Sequence, residues 1–448
     1  MRNILSNTIV PIVTIVTIIT IISIPQPASA QSQWTLRQCT EYAVSHNLTV
    51  KQKDNARRKQ ELQLSTAKNS RLPDLDASVG ESFSFGRGLT MDNTYTNRST
   101  SSTTFGLSTS VPLFTGFEIP NTIKLNQLKL EAATEDLEKA KNDIRMQVAK
   151  AYVQILYDME LADVAWRQVS IDSMQVARLT AFVHNGKASE AELSQQKATQ
   201  AQSRLTATQA DNNLQLALLA LSQLLELPTP DGFSVVRPET PFSALVLPSP
   251  EIVFSEAMAF KPEVKAEQLR LNAAEKNIKI AQSDRYPFLS LSGGLQTNYY
   301  KTSGLEAESF SSQLKNNFSQ YIGLNLSIPI FNRFATRNNI RSARIDRENQ
   351  QLQLENVKKT LYKEIQQVYY NAIAAQAKYE SSEAARQSGA DAFRLAQAKY
   401  ENGKATITEF NEAKNRYLKA ESDLVQARYE YLYQTTLLDF YRGRDLNF

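Results

Sequence analysis

"FGLSTSVPLFTGF", residues 105–117, returns 217 positions later (322 − 105) as "IGLNLSIPIFNRF", residues 322–334. Both copies alternate up to a proline. Phe105, Leu107, Val111 and Leu113 stand against Gly106, Ser108 and Ser110, while Ile322, Leu324, Leu326 and Ile328 stand against Gly323, Asn325 and Ser327. A period of two marks a strand with one apolar and one polar face. Its return at a fixed distance means that the chain is written twice.

The duplication extends in both directions. Upstream, "AKNSRLPDL" (67–75) is echoed by "AQSDRYPFL" (281–289), 214 positions on (281 − 67). Each leads into another alternating run: Leu75, Ala77, Val79, Phe83 and Phe85 against Asp76, Ser78, Gly80, Ser82 and Ser84, then Leu289, Leu291 and Leu295 against Ser290, Ser292 and Gln296. Downstream, "VHNGKASEAEL" (183–193) is echoed by "KYENGKATITEF" (399–410), with the glycines again 217 apart (403 − 186). The three-residue slip falls in a polar loop between Leu75 and Gly106.

Each half therefore reads helix, strand, Ser/Thr/Asn-rich loop, strand, long helical hairpin. The first repeat is expected over 31–227, with strands at about 74–86 and 103–114 and a hairpin tip at 185–189. The second is expected over 251–448, with strands at about 287–299 and 319–331 and a tip at 402–406. A Pro-rich linker, 228–250, separates them. The loops at 86–103 and 300–317 close the strand pairs.

At each tip an Asn-Gly pair supplies the left-handed glycine that ends one helix, and Ser189 or Thr406 caps the next. The helix from Pro120 to His184 would span about 100 Å at 1.5 Å per residue. Phe410, Tyr417, Leu424, Tyr431 and Leu438 recur every seven residues, with Ala413, Ala420 and Ala427 three positions later. That heptad, small on half its seam, predicts close coiled-coil packing.

Composition agrees with a mainly α protein carrying a small β part. The 448 residues include only 14 Gly, and the 42% hydrophobic fraction is spread thinly, as in long, partly solvated helices. Residues 1–30 show a charged start, an apolar run from Ile9 to Ile24 and Ala28-Ser29-Ala30, the pattern of a signal peptide cleaved before Gln31. Fifty Lys and Arg against 46 Asp and Glu give no support for nucleic-acid binding. Cys39 alone cannot form an internal disulfide. His46 and His184 are too far apart in sequence for a metal centre, and no phosphate-cradling loop or nucleophile elbow is present, so neither cofactor nor enzymatic activity is expected.

Ten-residue strands that are apolar on one face and polar on the other suit a membrane barrel with a wet lumen. Four strands cannot close one, and open edges are not tolerated in hydrocarbon. Two chains would give eight strands, a filled tube; three would give twelve with a channel. A soluble sheet with one wet face alternates in the same way.

The order and spacing of the duplicated "RLPDL"/"RYPFL", "SVPLF"/"SIPIF" and Asn-Gly motifs, with "FKPEV" at 260–264, resemble the outer-membrane efflux protein family, the TolC-like exit ducts, over essentially the whole mature chain. The resemblance implies a homotrimer with a 12-stranded barrel in outer-membrane lipid and a helical barrel crossing the periplasm of a Gram-negative bacterium. It implies that the tips, Asn185, Gly186, Lys187 and Ala188 with Asn402, Gly403, Lys404 and Ala405, dock on a periplasmic adaptor and an inner-membrane efflux pump or ABC transporter. It also places a periplasmic gate of acidic side chains at Glu192, Glu409 and Glu412, with Tyr400 beside it; Lys404 and Lys187 flank the tip as cations but match no family position. The family's arginine near the second tip is unmatched: Ala405 stands there.

Glu192 and Glu409 also fit capping boxes with Ser189 and Thr406, whereas Glu412 lies outside any such pattern. The expected function is passive exit of exported small molecules. The alternatives are a duct for secreted polypeptides and, in a different class, a periplasmic coiled-coil scaffold without a barrel.

Overall fold

The computed structural model describes residues 32–89, 93–229, 232–238 and 247–446. The expected signal peptide and parts of the Pro-rich linker lie outside them. Each half builds the same series, to which the second adds one short helix between its longer strands. In the first, β1 (Ser32–Trp34) precedes helices α1 (Leu36–His46) and α2 (Leu48–Asn69), strands β2 (Asp76–Leu89) and β3 (Tyr95–Thr115), and the hairpin of α3 (Glu118–His184) and α4 (Glu190–Leu224). The second runs β4 (Phe233–Val235), α5 (Pro250–Phe260), α6 (Pro262–Ser283), β5 (Phe288–Thr302), α7 (Phe310–Asn316), β6 (Ser319–Ser327), α8 (Ala335–Glu401) and α9 (Ile407–Tyr441). The long helices α3 and α8 have 67 residues each, α4 and α9 have 35 each, and every boundary of one pair lies 217 residues from its counterpart (335 − 118).

The helix expected before each strand pair is broken in two. Asn47 ends α1 and starts α2, its side-chain oxygen accepting from the Thr49 amide at 2.9 Å. In the second half Pro262 ends α5, because proline has no amide to donate and disfavours a helical residue before it. The apolar core follows the duplication. One cluster joins α1, α3 and α4 around Ile155, Leu156 and Leu221, and a second joins α5, α6, α8 and α9 around Leu361, Ile365 and Leu438. The Tyr152 hydroxyl donates to the Val236 carbonyl at 2.6 Å and so ties α3 to the end of β4, which pairs in parallel with β1.

The four longer strands form one antiparallel sheet in the order β2-β3-β5-β6. Its register puts Val79, Phe83, Phe85, Phe105, Leu107, Leu291, Leu295, Ile322 and Leu324 on one face. No core covers that face: Val79 is 72% exposed, Phe85 77% and Ile322 86%. A soluble sheet would turn this face inward, so its exposure separates a membrane-facing sheet from the soluble alternative. Glu81 stands among these apolar residues between Val79 and Phe83, and it is held by hydroxyl donors on β3, Ser101 at 2.6 Å and Thr103. Among the described residues no helix is long and apolar enough to cross a membrane.

The strand bounds depart from the expectation. The segment expected as the loop 86–103 is mostly strand, because β2 and β3 pair without a break from Asp76↔Ser108 to Leu89↔Tyr95. Strand β5 runs to Thr302, and β6 stops at Ser327 instead of 331 because its partner begins opposite at Phe288. Where β6 no longer flanks β5, α7 takes over within the expected 300–317 loop. The Gln313 side-chain amide accepts from the Tyr300 amide at 2.8 Å and donates to its carbonyl at 3.0 Å, standing in for a strand's peptide group.

Strand β3 passes into α3 at Gly116, whose φ is +59° and whose added Cβ would lie 2.5 Å from the Ser283 carbonyl oxygen at the end of α6. Its counterpart, Arg333, holds nearly the same φ, 56°. Close approach as well as conformation therefore demands glycine in the first repeat. Gly116→Ala is expected to cost about 1–3 kcal/mol, read as a lower thermal midpoint of the detergent-purified protein.

Candidate functional site at the hairpin tips

The two tips are built alike, atom for atom in their backbone bonds. In the first, Gly186 (φ +67°) donates to the Val183 carbonyl at 3.0 Å and Lys187 to that of Phe182 at 2.8 Å, with the Asn185 side chain on the Ala181 carbonyl at 2.7 Å. In the second, Gly403 (φ +68°) donates to Tyr400 at 3.1 Å and Lys404 to Lys399 at 2.8 Å, with Asn402 on Ala398 at 2.7 Å. This is the Schellman close of a helix, which needs a left-handed residue and so selects glycine.

Both capping boxes form. The Ser189 hydroxyl accepts from the Glu192 amide at 3.2 Å and the Glu192 carboxylate from the Ser189 amide at 3.1 Å. Thr406 and Glu409 repeat this at 3.2 and 2.9 Å. Glu412 has a partner too, the Arg416 guanidinium at 2.5 Å one turn on, with its side chain still 60% exposed. Glu192, Glu409, Lys187 and Lys404 are exposed, and Ala188 and Ala405 half-buried.

Tyr400 is where the two hairpins meet. Its ring stacks on Phe410 at 5.2 Å, and the Arg178 guanidinium of α3 lies 5.3 Å over its face and 5.2 Å over that of Phe182. Arg178 also donates to the Glu401 carbonyl at 3.3 Å. Burial pushes the Tyr400 hydroxyl above the ordinary phenol range; Arg178 opposes this and Glu192 adds to it. A cation therefore does sit against the second tip, but it comes from the first hairpin and not from position 405. The signal in the sequence was weak: an arginine eight residues before the turn glycine, with Leu395 as its repeat counterpart.

A second junction escaped the sequence altogether. The Lys414 ammonium of α9 and the Asp172 carboxylate of α3 form an ion pair with both side chains 0% exposed. Asp172 also accepts from Gln196 at 3.3 Å and from the Ser203 hydroxyl, both on α4, and Gln196 in turn accepts from Asn411 at 3.2 Å. Three helices of both hairpins thus share one buried polar cluster, placed about 15–20 Å above the turns by the helical rise.

Residues 41–226 and 253–444 match the family model described as "Outer membrane efflux protein". The chain belongs to the outer membrane efflux protein family. Efflux-family members are outer-membrane channels rather than enzymes, with a large periplasmic part. The chain is 27% identical over 184 residues to the outer membrane protein TolC of Vibrio cholerae serotype O1, covering 41% of each. It is 27% identical over 273 residues to the pyoverdine export outer membrane protein OpmQ of Pseudomonas aeruginosa, covering 58% of this chain and 54% of the relative. The matches thus span about half the length of these curated relatives. Among solved structures, the Campylobacter jejuni CmeC outer membrane channel superposes with a TM-score of 0.77 at 18% identity, over 92% of this chain and 87% of the other. At that identity the likeness speaks for the fold.

Removing one member of a buried ion pair leaves an uncompensated charge and costs about 3–5 kcal/mol. Asp172→Ala or Lys414→Ala in this efflux protein should each destabilise to that extent. Asp172→Leu combined with Lys414→Met should recover most of it, and a double-mutant cycle on thermal or urea unfolding measures the coupling.

Proposed function

We propose that three copies of this chain close one 12-stranded outer-membrane barrel and a continuous helical duct beneath it, and that the duct passively conducts exported small molecules. The observation that carries the reading is the four-stranded sheet with an uncovered apolar face and one open edge at each side, β2 and β6. Backbone groups on such edges must be paired within hydrocarbon, and a cyclic trimer lets each β6 meet the next copy's β2. The equal lengths of the two hairpins support a tube whose six tips end at one level. Export of a small molecule is named for the relative OpmQ, which favours that class of cargo here.

In this reading the tips, Asn185 to Ala188 and Asn402 to Ala405, meet a periplasmic adaptor, and an inner-membrane pump or ABC transporter supplies the energy. Glu192, Glu409 and Glu412 form the acidic periplasmic constriction, Arg178 and Tyr400 tie the two hairpins of each copy together behind it, and Lys404 lies beside it. Rings of carboxylates favour cations and repel anions.

Detergent-extracted protein should migrate as a heat-modifiable trimer and conduct in planar bilayers. Recovery as a soluble, non-conducting species would overturn the duct. At the tip, Glu409→Gln with Glu412→Gln keeps the capping box, since glutamine serves at that position, while removing two charges per chain. Cation preference measured by reversal potential should fall, with stability nearly unchanged; an unaltered potential would remove both acids from the pore.

A further inference from the structure

Lys261 occupies the elbow between α5 and α6, within the "FKPEV" motif that the tip and barrel leave unexplained. It is 3% exposed, unusual for a lysine, and it both ends α5 and starts α6. Its ammonium lies 4.7 Å over the Phe440 ring and 4.3 Å over the Tyr441 ring. Among the described residues no acceptor lies within hydrogen-bond distance of it and no carboxylate oxygen within 4.0 Å. Glu263, Glu364 and Asp143 act on it only through their field, from a second cavity of about 420 Å³ that they line together with Lys261 itself. Burial pushes the Lys261 ammonium below the ordinary lysine range.

On its other side Lys261 lines a cavity of about 410 Å³ between α1, α3, the elbow and the chain segment after α9. Arg37, Arg145 and Arg444 line it as well, against only Glu41 and Asp445. Arg37 is held by Glu41 at 2.8 Å and Arg444 by Asp439 at 3.0 Å, but Arg145 has only the neutral Asn142 oxygen at 2.7 Å. Lys261 and Arg145 are thus two cations with no carboxylate against them on one cavity wall. An ammonium on a nearly buried side chain, with three donors and only ring faces as protein partners, is stabilised by an acceptor that enters the cavity.

We infer that this cavity is a binding site for a small anion bearing a phosphate or carboxylate group, whose oxygens accept from Lys261 and Arg145. Lysine supplies a point charge fixed by two aromatic rings, and arginine a planar fork suited to two oxygens of one group. The volume holds an anion of several non-hydrogen atoms, taking about 30 Å³ for each water displaced. The site lies in the helical part, away from the tips and the barrel strands.

The test is calorimetric titration of the full-length, detergent-purified protein with inorganic phosphate and, separately, citrate, at ionic strength held constant with sodium chloride. Saturable binding of either anion at one site per chain is expected, and the two arms identify the preferred group. Lys261→Met, which fills the same aromatic slot without charge, and Arg145→Gln should each weaken binding at least about thirtyfold. Lys378→Gln, which removes an exposed cation that lines neither cavity, should leave the site intact. No saturable heat with either anion, or undiminished binding by both the Lys261→Met and the Arg145→Gln proteins, would overturn the site.

Discussion

Two rows of backbone amide and carbonyl groups, along the outer edges of β2 and β6, constrain everything else in this molecule. The sheet they border shows its apolar face to the surroundings, so water is not available to satisfy those edges where that face is immersed. In the proposed duct, pairing them with another copy would fix the tilt and number of strands, and with them the circle on which the helices stand. The duplication serves the same constraint. Each chain carries two hairpins with equal arms of 67 and 35 residues, so in that proposal it would contribute two matching segments to the circle.

Much of this was legible in the sequence because it is periodic or local. Alternation over ten residues identified the strands, a fixed 217-residue echo identified the tandem halves, and Asn-Gly followed by a Ser/Thr-x-x-Glu box identified both turns. What stayed hidden depends on pairing partners. The Ser/Thr/Asn-rich run after Tyr95 is polar enough to read as a loop, yet it is strand because β2 lies alongside it as far as Leu89. Conversely, "SIPIF" alternates as well as "SVPLF", but beyond Ser327 it faces no residue of β5.

The side chains that join the hairpins were illegible for a related reason: they break the repeat. Asp172 corresponds to Gly389, where an added Cβ would lie 3.4 Å from the Tyr417 Cα, and buried Lys414 corresponds to exposed Lys197. No comparison of one half with the other could pair Asp172 with Lys414, since the two lie 242 positions apart and only folding brings them together. The same holds for Arg178 over Tyr400. Glu412 shows the opposite error, in which a residue without a cap looked unoccupied until Arg416, one turn on, proved to hold it.

Magnitudes divide each hairpin into a firm part and a soft part. At the tips, the contacts are exposed caps worth about 1 kcal/mol each and a cation over an aromatic ring worth about 0.5–1 kcal/mol. About 15–20 Å above them, breaking the buried Asp172–Lys414 pair costs about 3–5 kcal/mol. Any force applied to the ends therefore meets its least resistance below that pair, where Arg178 and Tyr400 hold the two hairpins by weak, solvent-screened contacts. The buried cluster keeps α3, α4 and α9 in one arrangement while the turns yield, which in the proposed duct would make the wall rigid at the cluster and compliant at the tips where an adaptor would dock.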